Sequence, residues 1–345
     1  MKNRGHTAVF AGAALFVFLL VFSEEFKRGF TFGLESCAEI VIPSLFPFLI
    51  AASLAGSGEL PNKIKRFISV ITEFFFGLPS ECFFAIILGQ LGGYLSGAKA
   101  AQSLCSAGKI SENQSEKLML FCINPGIGFT VNALGSIMLS SRGSGRIIFT
   151  SVCISAFLCG LISRFYSCKT ESYKKVKIIP PSFSCAVVNS VSSGTLSLLN
   201  ACAFVCIFSG IISVIEAHIA NESMRLGAIC LLEITNGCIY AAKEMSLPFI
   251  SAICAFGGLC VHMQIFSVAE SFKIKLPLFY AFRLLHALLA FLTCSIILWM
   301  FPAEQQVLVN VTPKPALWSF SAPASFSLLF LSALLILDLD NKYKI

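Results

Sequence analysis

Gly89-Gln90-Leu91-Gly92-Gly93-Tyr94-Leu95-Ser96-Gly97-Ala98-Lys99 can be laid on Glu233-Ile234-Thr235-Asn236-Gly237-Cys238-Ile239-Tyr240-Ala241-Ala242-Lys243. At an offset of 144, Gly93 matches Gly237 and Lys99 matches Lys243. Farther along, Asn124-Pro125-Gly126 falls on Phe256-Gly257-Gly258 at an offset of 132. The 12-residue difference is absorbed by the polar loop 105–117, which is longer in the first half. An earlier pairing, 43–50 against 201–208, rests mostly on shared hydrophobicity. Each half therefore reads as hairpin, helix, then a helix broken by glycine.

These segments belong in lipid rather than water. The 345 residues are 56% hydrophobic and 12% charged, with a mean hydropathy of +0.83, whereas a soluble domain carries about a quarter charged residues. A water-soluble protein has to solvate its surface and cannot hide so much apolar side chain. The net charge of +7 is spread through short loops rather than gathered on one face, which argues against a nucleic-acid partner. Fifteen cysteines suggest a disulfide framework at first sight. Yet Cys122, Cys153, Cys159, Cys202, Cys206, Cys230, Cys254 and Cys294 lie inside apolar runs, where they act as small hydrophobes. No paired C-x-x-C points to zinc. The cysteines read as reduced packing residues, and neither metal nor cofactor is expected.

A membrane-crossing helix needs about 20 mostly apolar residues. Lys2 and Arg4 precede an apolar run, 8–22, and Ser23-Glu24-Glu25-Phe26 follows where a signal peptide would have small residues for cleavage. Residues 1–29 are therefore expected to stay as a first membrane helix. Further candidate spans are 83–104, 118–139, 147–166, 226–242, 249–269, 276–301 and 322–337. Two stretches fit a straight span poorly. Residues 30–58 are interrupted by Pro43 and Pro47, and 184–218 is too long for one crossing and carries Ser192, Ser193, Gly194 and Asn200 near its middle. Both read as re-entrant hairpins, with a kinked helix the alternative in each place. Residues 63–76 form an amphipathic segment suited to the interface. The expectation is an all-α polytopic membrane protein of about eight transmembrane helices plus two re-entrant hairpins. It divides into a membrane helix 1–29, a first repeat 30–166, a basic loop 167–183, a second repeat 184–301, and a C-terminal loop and helix 302–345.

Basic residues favour the cytoplasmic side. Arg164, Lys169, Lys174, Lys175 and Lys177 place one loop inside, Lys273 and Lys275 a second, and Lys342 and Lys344 the C-terminus. Arg142 and Arg146 then fall outside, a local exception that the larger cluster outweighs. The N-terminus also comes out inside, in agreement with Lys2 and Arg4. On this assignment the first broken helix exits outside near Ser141 and the second inside near Lys273, so the halves are inverted. Inverted repeats with broken helices are an architecture of secondary transporters, with the solute site where the repeats meet.

Asn124-Pro125-Gly126-Ile127-Gly128 sits in mid-span. Proline removes a backbone donor and glycine permits unwinding. The half-helix N-terminus this would create suits an anionic solute, with Gly257-Gly258 as the matching break; a simple packing kink is the plain alternative. Gly89, Gly93 and Gly97, four apart, form a small-residue stripe for close helix approach. Lys99 and Glu233 are the notable ionisable residues near or within spans, where a charge costs at least about 2.5 kcal/mol and so tends to face a cavity, partner or pathway. Glu233, the deeper of the two, reads as a proton- or cation-coupling group. Lys99 lies nearer its helix end and is equally able to snorkel to the interface. His262 and Gln264, also in mid-span, read as hydrogen-bonded packing, since nothing nearby supplies a metal set. No GxSxG, Walker loop, HExxH or carboxylate pair marks an enzyme.

Pro43-Ser44-Leu45-Phe46-Pro47-Phe48, Gly93-Tyr94-Leu95-Ser96-Gly97-Ala98-Lys99, Asn124-Pro125-Gly126 and Leu232-Glu233-Ile234-Thr235-Asn236-Gly237 together carry a resemblance. The chain resembles the sporulation integral membrane protein family of the YlbJ/SpoVV type, built on the nucleoside-recognition Gate domain. The likeness runs over nearly the whole chain in order. That family's frequent Gly-Tyr-Pro-x-Gly-Ala reads Gly-Tyr-Leu-Ser-Gly-Ala here, with Leu95 in place of the proline. The resemblance implies an endospore-forming bacterium and the membrane around the developing spore, in particular the outer forespore membrane. It implies a distant relation to concentrative nucleoside transporters, and dipicolinate, a pyridine dicarboxylate, as solute. Resemblance and residues together place substrate binding at Ser44, Phe46, Gly93, Ser96, Lys99, Asn124, Gly126, Thr235, Asn236 and Gly257, with Glu233 as the coupling residue. A small-molecule solute and the bilayer are the expected partners, and a homo-oligomer is left open. Outside the dipicolinate reading stand a nucleoside-like or other small solute, and a membrane scaffold for spore-envelope assembly that transports nothing.

Overall fold

The structure, a computed structural model, describes residues 3–57, 62–166, 182–269 and 272–301. The expected C-terminal span 322–337 and most of the basic loop 167–183 lie outside the described residues. Among the described residues there is helix and no strand. Helix α1 (Asn3–Val21) leads into α2 (Ser23–Ser36), a π-helical turn (Cys37–Val41) and α3 (Ile42–Ser57). From α2 onward these run together as one 35-residue helix, Ser23–Ser57. Next come α4 (Asn62–Phe76), α5 (Phe83–Leu91), α6 (Tyr94–Ser106) and α7 (Glu112–Met119); an unwound stretch then precedes a π-helix (Gly128–Met138), and α8 (Arg142–Ser163) ends the half. The second half repeats that order. A long helix, α9 (Phe183–His218), precedes a short pair, α10 (Glu222–Leu232) and α11 (Ile234–Glu244). A broken helix, α12 (Leu247–Phe256) and α13 (Gly258–Val268), then leads to a closing helix, α14 (Leu276–Met300).

Among the described residues, five helices are long and apolar enough to cross a membrane: Ser23–Ser57, Arg142–Ser163, Phe183–His218, Leu247–Val268 and Leu276–Met300. A sixth arises if Lys63–Phe76 and Ser80–Leu91, bent by 88° at their break, count as one span. That bend follows from amphipathicity. Helix α4 turns Ile68, Thr72 and Phe76 inward, with Phe76 stacked on Phe121 at 5.0 Å, and leaves Ile64, Phe67, Val70 and Phe74 exposed beside Lys63 and Arg66. Such a helix lies along an interface more readily than through it.

The two stretches expected to be re-entrant hairpins are continuous helices instead. Pro43 directly follows the π-helical turn, whose wider winding accommodates the ring and the missing N–H, and Pro47 lies inside α3 without ending it. The Ser44 hydroxyl donates back to the carbonyls of Ile40 (2.6 Å) and Val41 (3.3 Å). In α9 the helix continues through Ser192, Ser193, Gly194 and Asn200, and neighbouring hydroxyls return to its own carbonyls. Thr195 donates to Val191 at 2.8 Å and Ser197 to Ser193 at 3.1 Å.

The hairpins lie where single spans were expected, at 83–104 and 226–242. A Cβ built on Gly97 would sit 2.9 Å from the Gly89 Cα and 1.9 Å from the Cys122 oxygen, so α5 and α6 run back along one another. Gly93 is the reversal, not part of a one-faced stripe, and its φ of 101° excludes a side chain. In the second pair, a Cβ on Gly237 would lie 2.9 Å from the Cys230 Cα, and Glu233 is the turn. Matching the two turns puts Gly93 on Glu233 and Gly97 on Gly237, a register of 140 rather than 144. The arms have 9, 13, 11 and 11 residues, so they reach about 14–20 Å, well short of a bilayer core of about 30 Å. Gly97→Ala is expected to destabilise the protein by about 3 kcal/mol, because the neighbours of its Cβ are backbone and cannot swing away. Thermal unfolding of the purified protein measures this, and an unshifted midpoint would mean that the arms can part.

A polar clasp joins the ends of three elements. Lys275, ahead of α14, donates its backbone N–H (2.8 Å) and ammonium (3.1 Å) to Glu116 of α7, and the ammonium also reaches the Tyr166 hydroxyl beyond α8 (2.7 Å). The Tyr166 hydroxyl first, and Glu116 next, hold the Lys275 ammonium above its ordinary range.

Candidate functional site

A cavity of about 70 Å³ opens where the two hairpin turns meet. The long first helix contributes Ile40, Val41, Ser44 and Leu45; the first turn, Gly92, Gly93, Tyr94 and Leu95; the first break, Gly126 and Phe129. Val205 comes from α9, Glu233, Ile234 and Thr235 from the second turn, and Val261 and Gln264 from α13. Most of the wall is apolar, with a few convergent polar groups, the usual makeup of a small-molecule site.

The two turns are electrostatically unlike. Helix α6 begins after Gly93, which has no side chain to cap it. The Ser96 hydroxyl turns away, to the Gly92 carbonyl at 2.9 Å. The first N–H groups of α6 and the positive end of its dipole therefore open on the cavity without a side-chain cap. At the second turn Glu233 caps its own helix. Its carboxylate accepts the backbone N–H groups of Thr235 (3.0 Å) and Asn236 (2.8 Å) and the Asn236 amide (2.8 Å). The same amide donates to Ser209 of α9 at 3.1 Å. Glu233 is buried and makes no ion pair among the described residues. Helix-end N–H groups, rather than a cation, offset its charge.

Both expected breaks are present. Residues 121–126 are not helical, and Gly257 adopts the left-handed conformation with φ 90°. The first break leaves carbonyls to be satisfied as well as the N–H groups at the start of the π-helix, which has no side-chain cap. In lipid, each unpaired carbonyl would cost several kcal/mol. At the first break Arg283 of α14 donates to Leu120 (2.7 Å) and Ile123 (2.7 Å), and the Asn124 amide donates to Phe121 (3.0 Å). At the second, Tyr94 donates to Cys254 (2.6 Å) and His262 Nε2 to Phe256 (2.9 Å). Helix N-termini without a side-chain cap stand at both places, at α6 and at the π-helix that follows Asn124.

Of the residues expected at the site, Ser44, Gly93, Gly126, Glu233 and Thr235 line the cavity together. Asn236 lies behind the carboxylate it orients, and Ser96 lies inside the first hairpin. Asn124 is buried at the break, Gly257 packs against the Tyr94 ring, and Phe46 packs on the core. Lys99 is half-buried on α6 six residues past Gly93, outside the cavity lining. Sequence reasoning missed Tyr94 and Arg283. Arg283 is fully buried, within a helix otherwise apolar except for its histidine and serine-type positions. The argument that singled out Glu233, that a charge within a span needs a reason, applied to it equally.

Membrane-length helices, two short hairpins and two interrupted helices define an integral membrane protein with a mostly apolar cavity where the hairpin turns meet. The chain is similar to the sporulation integral membrane protein YlbJ of Bacillus subtilis (strain 168), 26% identical over 306 residues, which span 75% of this chain and 74% of that one. No family model and no solved structure matches it.

Proposed function

We propose that this chain is a secondary transporter, not an enzyme, carrying a small organic anion across a membrane of a sporulating cell, with dipicolinate its leading solute. One observation carries the reading: two helical hairpins too short to cross lipid turn back at a shared cavity, each backed by an interrupted helix. A scaffold has no use for unwound backbone in lipid, whereas a carrier needs it to bind solute and to move around it. The hairpins would be re-entrant and the halves inverted, an arrangement related to the Gate domain of concentrative nucleoside transporters. The name of the Bacillus subtilis relative supports a membrane role in sporulation, and the outer forespore membrane is the location this reading adds to it.

In this reading the uncapped N-terminus of α6 receives a carboxylate of the solute, Thr235 and Gln264 line the remainder, and apolar side chains face the ring. Labelled dipicolinate should enter vesicles that contain the purified protein faster than protein-free vesicles, and unlabelled dipicolinate should saturate that entry. Equal, non-saturating entry into both would sink the proposal.

A further inference from the structure

Neither break is held by its own half alone. Arg283 belongs to α14, in the second half, and its guanidinium clasps the carbonyls of Leu120 and Ile123, 163 and 160 positions earlier in the chain. Tyr94 belongs to the first hairpin, and its hydroxyl holds the Cys254 carbonyl 160 positions later. Each break in turn backs the turn of its own half's hairpin. A Cβ on Gly126 would sit 2.8 Å from the Gly93 nitrogen, and one on Gly258 would sit 3.3 Å from the Leu232 oxygen and 3.4 Å from the Glu233 nitrogen. Arg283 has no carboxylate partner among the described residues. Its fork is spent on backbone acceptors, a geometry that lysine cannot reproduce. The residue matching Tyr94 in the second hairpin is Ile234, with no donor to offer.

We infer that Arg283 and Tyr94 are a reciprocal pair of positioning residues, each holding open the broken helix of the opposite half, so that the two turns at the cavity shift together. Breaking either hold should free one break selectively, because the two sets of hydrogen bonds share no group. The kinetic side of the inference rests on the transport reading; the structural side does not.

Native thiols report on both breaks. Cys122 and Cys254, each fully buried, stand beside the first and second break. In Arg283→Met, alkylation of Cys122 by N-ethylmaleimide, followed residue by residue by mass spectrometry, should speed up about tenfold or more, as expected when ordinary hydrogen bonds are withdrawn. Cys254 should not respond. Tyr94→Phe, which removes a single oxygen, should do the reverse. Arg283→Lys, able to reach one carbonyl, should restore part of the Cys122 protection. In vesicles Tyr94→Phe should raise KM about tenfold while the maximal rate stays within about twofold. The inference is overturned if Tyr94→Phe and Arg283→Lys leave both cysteines protected, if either variant exposes both alike, or if the maximal rate collapses at constant KM. Should wild-type vesicles carry no dipicolinate, only the transport reading falls, and the alkylation pattern still decides the pair.

Discussion

Glu233→Ala is expected to destabilise the protein by about 3 kcal/mol, more than an ordinary lost helix cap. The reason lies in the number of partners. Two backbone N–H groups and one amide donate to this carboxylate, the site is buried, and alanine leaves all of them without their acceptor beside a mostly apolar cavity. Glu233→Gln should fall between, since it keeps one acceptor and turns an NH2 toward donors. The same geometry sharpens the coupling hypothesis. Protonation would remove an acceptor from the α11 N-terminus, so a bound proton and a loosened second turn go together. Glu233→Gln should therefore also abolish the dependence of uptake on a proton or cation gradient. Thermal unfolding and gradient-driven uptake measure the two effects separately. Unaltered gradient dependence with lowered stability would leave Glu233 a helix cap and nothing more.

Much of the fold was legible in the sequence, though the hairpins were assigned to the wrong stretches. The apolar content of 83–104 equals that of a span, and hydropathy cannot distinguish one crossing from two short arms that double back. The deciding signal was Gly92-Gly93 with Gly89 and Gly97 on either side, read as a helix-packing stripe when it marks a reversal. In α9 the error ran the other way. Ser192, Ser193 and Gly194 look like breakers, but serine and threonine hydroxyls can satisfy carbonyls one turn back and leave the helix intact. Helix breakers mark sites of possible reversal, and tertiary contacts decide which ones reverse.

At the site, Glu233 was legible as a residue needing a reason, but not as a cap. Glutamate is an uncommon N-cap, and its capping role depends on the extended backbone at the turn (φ −145°, ψ 128°). Arg283 was hidden differently. Its type and depth could be read, but its partners are backbone carbonyls 160 and 163 positions away, just ahead of the Asn124-Pro125-Gly126 break. Backbone acceptors leave no trace in a sequence, so the hydrogen-bond needs of an unwound segment show only once the fold supplies its neighbours.

Dipicolinate is expected to bind at least about a hundredfold more tightly than its neutral diamide, the equivalent of one or two charge-assisted hydrogen bonds. An unpaired dianion could not settle in a mostly apolar cavity. The available compensation is unevenly distributed. The α11 N-terminus is already taken by Glu233, and a solute carboxylate there would meet a like charge. The α6 N-terminus is uncapped and lies on the far turn. A carboxylate should therefore settle at Gly93–Leu95, with Lys99 five residues along the same helix adding to the local positive potential. Lys99→Gln should then weaken dipicolinate uptake substantially, whereas Lys243→Gln, exposed in the last turn of α11, should matter less. Competition by the diamide against labelled dipicolinate, in wild-type and Lys99→Gln vesicles, measures both effects. A diamide that competes equally well, or a Lys99→Gln variant with normal uptake, would mean that charge is not what the cavity reads. The largely apolar wall would then favour a neutral, nucleoside-like solute held by Thr235, Gln264 and backbone groups.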